Sequence, residues 1–502
     1  MKRLRCATLE LFDAKAVEVE VAFVRALPSF SIVGLAQTSI QESKERIKSA
    51  LSAIGFKFPP QKVTVNLSPS DLKKEGSHFD LPIALLIALQ KNEVDFNDFT
   101  AFGELGLDGK LKDTSTLFAI ILSLKKDGLI KKVIVPKQSV EKIEKIPGLQ
   151  IYPADNLKEA IEIFTTKTTK PYINSSGFLN YDSINICGEN YYYIKEFPLD
   201  FKEIKGQEIA KRASLIAACG MHNILFEGSP GCGKSMSAKR IQYILPPMSQ
   251  DEILEKAKLD ALEKKEPDFK PIRNFRSPHH TATQASIFGG GSKNARIGEI
   301  SLANNAVLFF DEIPHFPKTI LESLREPLED HQLLISRVNS KIRYKTKFLF
   351  IGAMNPCPCG NLLSTEKECL CSDLEIGRYK KRLSSPLLDR IDIYIQMSEI
   401  SPKDTTSITS AQMFEIVKRV FKKQKERGQK ELNGKLSDKE IERFCSLDND
   451  LSQILENATI RFDLSRRAIN KTLKISRTVA DIEDHDKIEK SDLLEALQYR
   501  FR

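Results

Sequence analysis

Residues 226–241, FEGSPGCGKSMSAKRI, constrain the fold more than any other part of the sequence. They contain the pattern G-x-x-x-x-G-K-S, made of Gly228, Ser229, Pro230, Gly231, Cys232, Gly233, Lys234 and Ser235. An apolar run precedes this pattern and helix-forming residues follow it. The order therefore predicts a strand, a phosphate-binding loop and a helix whose N-terminus faces the phosphates. In such a loop, backbone N–H groups and the lysine bind phosphate oxygens, and the serine hydroxyl binds Mg²⁺.

Two further strand candidates end in polar side chains that suit the same site. NAVLFFDEI ends in Asp311 and Glu312, and KFLFIGAMN ends in Asn355. Following a phosphate-binding loop, Asp311 is expected to hold Mg²⁺ and Glu312 to orient and deprotonate the attacking water. Asn355 is expected to position water near the γ-phosphate. The alternatives are acidic residues that cap the next helix and a turn asparagine before Pro356.

Arg390 stands at the start of another strand candidate, in SSPLLDRIDIYI. Phosphoryl transfer is strongly accelerated by an arginine supplied by the same chain or by a neighbouring subunit. The alternative is an ion pair between Arg390 and Asp389 or Asp392. The spacing alone leaves both interpretations open.

These elements, in this order, resemble the AAA+ ATPases. The runs FRSPHHTATQASIFGGGSKNARIGEISLANNAVLFFDEI, LREPLED, AMNPCPCG and LSSPLLDRID are similar to one branch of them, the magnesium-chelatase-like ATPases. The N-terminal third resembles a subgroup, the YifB/ComM family, through VGLAQTSIQESKERIKSAL, VNLSPSDLKKEGSHFDLPIAL and GELGLDGKL. The resemblance covers nearly the whole chain.

The resemblance implies ATP and Mg²⁺ as cofactors and assigns roles to individual residues. Lys234 and Ser235 become the Walker A pair, Asp311 and Glu312 the Walker B pair, and Asn355 the first sensor. Arg390 becomes an arginine finger that acts on the ATP of the next subunit. The run LSRRAINKTLKISRTVADI resembles the second-sensor region, with Arg467 as the nucleotide contact and the adjacent Arg466 as the alternative.

The resemblance also implies an assembly and a partner. A ring, usually a hexamer, follows because the finger must reach a neighbouring site. ComM-type members are branch-migration helicases that help to integrate incoming single-stranded DNA during natural transformation. Single-stranded and branched DNA are therefore the expected partners.

The N-terminal third also resembles the Lon-protease-like fold found in Lon and in RadA, through GELGLDGKLKDTSTLFAIILSLKKDGLIKKVIVPK. A Lon-type peptidase needs a nucleophilic serine followed by a helical lysine. Here KEGSHFDLP places His78 or Asp80 at the serine position, and Ser77 is one place off. The helix predicted at TLFAIILSL holds no lysine before Lys125. We therefore expect a scaffold or a DNA-contacting collar without peptidase activity.

The expected fold is α/β in three parts joined by a linker. We expect a Lon-protease-like α/β domain at 1–168, a linker at 169–195, an AAA+ core with a parallel sheet at 196–400 and a C-terminal helical lid at 401–502. Residues 169–195 are polar and aromatic without periodicity, which suits a linker. In the first domain, AVEVEVAFV, KVTVNLSP and KKVIVP read as strands, SIQESKERIKSALSAIG, DLPIALLIALQ and TLFAIILSLKKDG as helices, and AFGELGLDGKL as a hairpin.

Four of the nine cysteines cluster as C-x-C-x9-C-x-C, at Cys357, Cys359, Cys369 and Cys371. Four thiolates within a short loop suit a tetrahedral Zn²⁺ site. The alternative is a set of free thiols or a redox-sensitive loop. A metal here would brace the segment between Asn355 and Arg390.

The stretch FGGGSKNARIG is rich in glycine and basic residues, which predicts a flexible loop, and it has an aromatic residue at its base. In a ring such a loop can face the pore, where Lys293 and Arg296 would follow DNA phosphates and Phe288 would stack on bases or wedge between them. The alternative is a surface hairpin turn.

The formal net charge of +9 is spread along the chain and only weakly suggests nucleic acid. The N-terminus does not resemble a signal peptide, and the longest apolar runs are too short to span a bilayer, so we expect a cytoplasmic protein without membrane contact. The leading hypothesis is an ATP-driven DNA motor. The alternatives are a chelatase-type remodeller of a protein client and an ATPase switch without motor activity.

Overall fold

The structure is a computed structural model that describes residues 2–166, 170–172, 180–290, 297–336, 341–399 and 405–500. The chain divides into two compact units, one comprising Met1–Asn180 with Asp251–Lys270 and the other Tyr181–Gln250 with Pro271–Arg502. Both units are α/β, as expected. None of the helices in the described ranges is long and apolar enough to cross a membrane.

Among residues 2–166, which the structure describes, the first unit has nine strands and five α-helices. The strands are β1 (Arg3–Glu10), β2 (Asp13–Val24), β3 (Ser29–Val33), β4 (Lys62–Ser68), β5 (Phe99–Ala101), β6 (Glu104–Leu105), β7 (Leu111–Lys112), β8 (Lys132–Pro136) and β9 (Gln150–Ala154). The helices are α1 (Thr38–Ala53), α2 (Asp80–Ala88), α3 (Leu117–Lys126), α4 (Val140–Ile143) and α5 (Leu157–Thr165). The strands, helices and hairpin predicted from periodicity in this part of the chain are confirmed.

A seven-stranded mixed sheet in the order β3-β4-β2-β1-β5-β8-β9 forms the centre of this unit. Helix α2 is apolar on every face and lies buried, with Asp80 at its first position. The Asp80 carboxylate is fully buried and receives a hydrogen bond from Arg46 Nε on α1 at 2.7 Å. Asp80 therefore joins two helices through a buried ion pair.

The chain after residue 180 supplies the remaining elements. Its strands are β10 (Asp182–Ile186), β11 (Glu189–Tyr193), β12 (Ile224–Gly228), β13 (Met248–Ser249), β14 (Phe275–Arg276), β15 (Val307–Phe310), β16 (Gln332–Ser336), β17 (Lys341–Lys345), β18 (Leu349–Met354) and β19 (Ile393–Met397). The helices that follow α5 in the chain are α6 (Glu208–Gly220), α7 (Lys234–Ile241), α8 (Gln250–Leu262), α9 (Gln284–Phe288), α10 (Glu299–Leu302), α11 (Lys318–Ser323), α12 (Arg325–Glu329), α13 (Asp373–Lys380), α14 (Ser385–Leu388), α15 (Ser410–Glu426), α16 (Asp438–Phe444), α17 (Asn449–Phe462), α18 (Arg466–Ile482) and α19 (Lys490–Gln498).

Helix α8 differs from its sequence neighbours because it packs into the first unit. Its residues Leu254 and Ala257 belong to the apolar core of that unit. The Lys258 ammonium donates to Asp13 Oδ1 at 3.0 Å. The sequence predicts that this helix belongs to the ATPase core at 196–400, whereas the structure places it in the first unit.

Five parallel strands in the order β14-β15-β18-β12-β19 form the centre of the second unit. Strands β12, β15 and β18 are buried along their whole length. Burial on both faces explains why they read as continuous apolar runs in the sequence. The parallel arrangement brings the carboxyl ends of β12, β15 and β18 to one edge of the sheet.

The second half of the expected linker forms a β-hairpin. Strands β10 and β11 pair antiparallel across a two-residue turn in which Cys187 has φ 51° and Gly188 has φ 87°. Positive φ at both positions is typical of the type I′ turn that closes tight hairpins. The Tyr191 ring meets the Phe421 ring at 5.0 Å, which anchors the hairpin. Within the expected linker, residues 169 and 173–179 lie outside the described part of the chain.

The C-terminal helices α15 to α19 contain the predicted all-helical pattern, with no strand among residues 405–500. Helix α18 is fixed to the amino end of the parallel sheet by polar contacts. Its Lys471 ammonium lies 2.9 Å from Asp392 Oδ1, and Asp392 is buried. This ion pair sets the position of Arg467, which lies one turn earlier on the same helix.

Candidate active site at the carboxyl edge of the parallel sheet

The predicted phosphate-binding loop connects β12 to α7, so the expected order of strand, loop and helix is confirmed. Gly231 has φ 85° and Gly233 has φ 96°, a region that side chains with a Cβ rarely adopt. These two glycines therefore allow the backbone to turn tightly before α7. Lys234 and Ser235 are the first two residues of this helix, so backbone N–H groups and the positive end of the helix dipole face the loop.

Lys234 lies at the centre of the loop. Its Nζ donates to the carbonyl oxygens of Gly228 at 2.6 Å and Ser229 at 2.9 Å. It also donates to Asn355 Oδ1 at 3.2 Å. Burial lowers the pKa of Lys234, an effect that the nearby Asp311 carboxylate opposes. A hydrogen bond thus joins the lysine predicted to bind phosphate to the expected sensor residue at the end of β18.

Ser235 and Asp311 meet at the same edge. Ser235 Oγ donates to Asp311 Oδ2 at 3.0 Å, which places a hydroxyl and a carboxylate side by side. Oxygen ligands of this kind are the ones that Mg²⁺ prefers, so the pair fits a magnesium ion bound together with nucleotide phosphates.

Glu312 follows Asp311 in a strained conformation. Its φ is 48°, in the left-handed region that is unfavourable for a residue with a side chain. The Glu312 amide donates to Asp311 Oδ1 at 3.0 Å, which helps to hold this turn. Strain of this kind persists where surrounding contacts fix it, and it is concentrated at functional sites.

One ion pair at this site is not predicted by the sequence. Glu227, the residue before the loop, is fully buried on β12, and its Oε1 lies 3.0 Å from Lys380 Nζ on α13. Burial raises the pKa of Glu227, whereas Lys380 lowers it. No local pattern signals this contact, because the two residues are far apart in the chain.

Arg390 lies at the amino end of the parallel strands, whereas Lys234 and Asp311 lie at their carboxyl end. It precedes β19, which runs parallel to β12 and pairs Met397 with Gly228. A five-residue strand spans about 16 Å, so this arginine and Lys234 lie at opposite ends of their strands. Arg390 Nη1 donates to Pro386 O at 2.6 Å. The structure therefore does not bring Arg390 into the nucleotide site of its own chain.

Arg467 lies beside Arg390. The Nε atoms of Arg390 and Arg467 lie 3.2 Å and 3.0 Å from the two carboxylate oxygens of Glu329. Both arginines line a cavity of about 650 Å³ together with Arg325. Burial, opposed by Glu329, lowers the pKa of Arg390, and the charges of Arg467 and Arg325 lower it further. Such a cluster of cations favours the entry of an anion.

Of the expected pore-loop residues, only Phe288 is described. It ends α9 and is 7% exposed within an apolar cluster that includes Phe310 and Leu324. This burial contradicts the prediction that Phe288 stacks on bases, since α9 turns its apolar side chains into the core. Lys293 and Arg296 lie outside the described residues.

The four clustered cysteines converge in the loop between β18 and α13. Their Sγ atoms all lie within 4.8 Å of one another, and all four cysteines are free. The loop touches the phosphate-binding loop, because a Cβ added at Gly360 would lie 2.7 Å from Pro230 Cδ.

Three family models match the chain in succession. They are described as subunit ChlI of magnesium chelatase at residues 19–139, magnesium chelatase subunit ChlI at 200–405 and its C-terminal part at 407–500. Competence protein ComM of Haemophilus influenzae is 37% identical over 97% of this chain and 95% of its own length. The uncharacterized protein YifB of Escherichia coli is 34% identical over 97% and 94%. DNA repair protein RadA of Aquifex aeolicus is 36% identical over 20% of this chain and 22% of its own.

Proposed function

Because the chain belongs to the YifB/ComM family of magnesium-chelatase-like AAA+ ATPases, we propose that it is an ATP-dependent DNA motor that forms a ring and promotes branch migration. Membership in this family implies ATPase activity. The observation that carries the proposal is the meeting of Lys234, Ser235, Asp311 and Asn355 at one edge of the sheet while Arg390 lies at the other.

The hydrolytic step would use the residues at the carboxyl edge. Lys234 and the loop amides would hold the β- and γ-phosphates. Ser235 and Asp311 would hold Mg²⁺, which would supply charge neutralisation at those phosphates. Glu312 accepts a proton from the attacking water. Asn355, which already contacts Lys234, orients that water against the γ-phosphate.

The position of the arginines supports the proposed ring. Arg390 cannot reach the nucleotide of its own chain from the amino end of β19. A neighbouring copy placed against the cavity of Arg390, Arg467 and Arg325 would offer its γ-phosphate to this cluster, displacing the carboxylate of Glu329. Closed rings with such head-to-tail contacts form when the rotation between copies closes, and six copies are expected.

DNA is proposed as the substrate on the strength of the relatives. One full-length relative is named a competence protein, and a shorter match is named a DNA repair protein. We propose that the ring acts on single-stranded and branched DNA during homologous recombination and natural transformation, in the cytoplasm. Lys293 and Arg296 stay within the proposal as DNA contacts, whereas the buried Phe288 does not.

The proposed domain roles follow the same resemblance. Residues 1–168 would form a Lon-protease-like collar, 169–195 a connection that includes the hairpin, 196–400 the AAA+ core and 401–502 the helical lid. The cofactors are ATP and Mg²⁺, with Zn²⁺ in the cysteine loop.

A protein remodeller is the second candidate, because all three matching family models describe a magnesium chelatase subunit. Such an ATPase ring would act on a protein client instead of DNA. ATP hydrolysis that no DNA stimulates would favour this candidate.

The test is steady-state ATP hydrolysis by the purified chain, alone and with single-stranded, duplex and four-way-junction DNA. We expect stimulation by DNA and loss of hydrolysis in Lys234→Ala. Lys239→Ala is the matched control, because it makes the same substitution at an exposed position of α7. Normal hydrolysis in Lys234→Ala would refute the assignment of the phosphate-binding loop.

A further inference from the structure

The four cysteines of the β18–α13 loop form a cluster with the dimensions of a metal site. Cys357 Sγ lies 3.4 Å from Cys359 Sγ and 3.7 Å from Cys369 Sγ, and Cys359 Sγ lies 3.6 Å from Cys369 Sγ. The Cys371 Sγ lies within 4.8 Å of the other three. These separations are too long for S–S bonds, which are about 2.05 Å.

The separations match those of a tetrahedral thiolate centre. With Zn–S bonds of about 2.3 Å, the sulfur atoms at the corners of a tetrahedron lie about 3.8 Å apart. The three separations of 3.4, 3.7 and 3.6 Å lie close to that value. Four soft thiolates in tetrahedral arrangement select Zn²⁺ or iron over Mg²⁺ or Ca²⁺.

We propose that Cys357, Cys359, Cys369 and Cys371 bind one Zn²⁺ in a closed structural site that holds the nucleotide-binding residues in place. Four protein ligands leave no open coordination position, so the ion would not take part in hydrolysis. Each bound thiol would lose its proton to solvent, and no redox change is involved.

Three contacts connect this loop to the nucleotide site. Asn355, two residues before Cys357, accepts a hydrogen bond from Lys234. Gly360 packs directly on Pro230 of the phosphate-binding loop, with no space for a Cβ.

The third contact lies beyond the last cysteine. Ser372 caps α13 directly after Cys371, with the capping box completed by Glu375. The same helix places Lys380 on Glu227 at the end of β12. The ion would therefore fix both ends of a loop that sets the positions of Asn355 and Pro230.

The bracing role rests on the proposed ATP site, whereas the zinc site stands without it. Metal content should be measured by mass spectrometry on full-length protein purified without chelator and without metal-affinity steps. We expect about one Zn²⁺ per chain in the wild type and almost none in Cys359→Ser. Cys187→Ser, at an exposed turn, is the matched control and should keep its zinc.

A second measurement keeps the proposal testable if Cys359→Ser does not fold. Titration of the wild type with a mercurial thiol reagent should release zinc, followed with a colorimetric zinc indicator, as the cysteines react. Wild-type protein without zinc, or with iron in its place, would overturn the assignment.

The bracing role has its own readout. Removal of the ion should lower kcat for ATP hydrolysis by roughly 10- to 100-fold, because small displacements of catalytic groups are costly. Zinc loss with unchanged kcat would overturn the bracing role alone. Zinc at full occupancy with no ATP hydrolysis under any condition would leave the metal site intact and contradict the proposed function.

Discussion

The position of Arg390 predicts a specific result when two inactive variants are mixed. In the proposed ring, each active site takes Glu312 from one chain and Arg390 from its neighbour, because the two residues lie at opposite edges of one sheet. Arg390→Ala and Glu312→Gln each remove one half of every site. Loss of an arginine finger lowers kcat about 10³-fold or more, so each variant alone should be nearly inactive.

Mixing the variants should restore activity in a defined proportion. A competent site needs Glu312 from an Arg390→Ala chain and Arg390 from a Glu312→Gln chain. In a random equal mixture about one quarter of the sites meet this condition. The recovered ATP hydrolysis should rise and fall symmetrically with the mixing ratio, with its maximum at equal amounts.

The assay is steady-state phosphate release at constant total protein, with the two variants co-purified at several ratios. A mixture of Arg390→Ala with Arg467→Ala is the matched control, because both residues line the same cavity and no chain would then supply both. No recovery at any ratio in the Arg390→Ala and Glu312→Gln mixture would refute the action of Arg390 on a neighbour.

Three further predictions concern the metal site and the stability of each unit. Ser235→Ala should raise the Mg²⁺ concentration needed for half-maximal hydrolysis, measured by Mg²⁺ titration, because Asp311 loses its partner in holding the ion; an unchanged requirement would contradict that role. Burial lowers the pKa of His222 to about 3, so neutral His222 contributes its full stability above pH 6.5, and the free energy of unfolding falls by about 1.4 kcal/mol per pH unit below that. In urea unfolding, His222→Gln should lose less free energy of unfolding than the wild type between pH 6 and 4. Equal losses in the two proteins would contradict this role of His222. Asp80→Ala should destabilise the first unit by about 3 kcal/mol, because it leaves Arg46 without its buried partner, whereas Asp127→Ala at an exposed helix end should change the free energy of unfolding by less than about 0.5 kcal/mol.

The residues at the carboxyl edge were predictable because each follows a buried strand directly. Apolar runs ending in Gly228, Asp311 and Asn355 identify strand ends, and parallel pairing brings such ends together. The helices and strands of the first unit were predictable for a similar reason, since their periodicity is local.

The contacts that the sequence did not reveal join distant residues. The pair Glu227–Lys380 and the bridge of Glu329 between two arginines depend on the packing of separate elements. The hairpin at β10 and β11 was not predictable, because residues 169–195 are polar and aromatic without clear periodicity, and positive φ is an unusual conformation for a cysteine such as Cys187. The basic stretch that begins at Phe288 predicts an exposed loop. Phe288 is buried because it is the last residue of α9, which packs into the core.

The most direct test of the proposed function is the conversion of a four-way DNA junction with homologous arms into duplex products. Wild-type protein should carry out this conversion with ATP and Mg²⁺, and Glu312→Gln should bind the junction without converting it. ATP hydrolysis by the wild type without any conversion of the junction would contradict the branch-migration motor and favour a protein client.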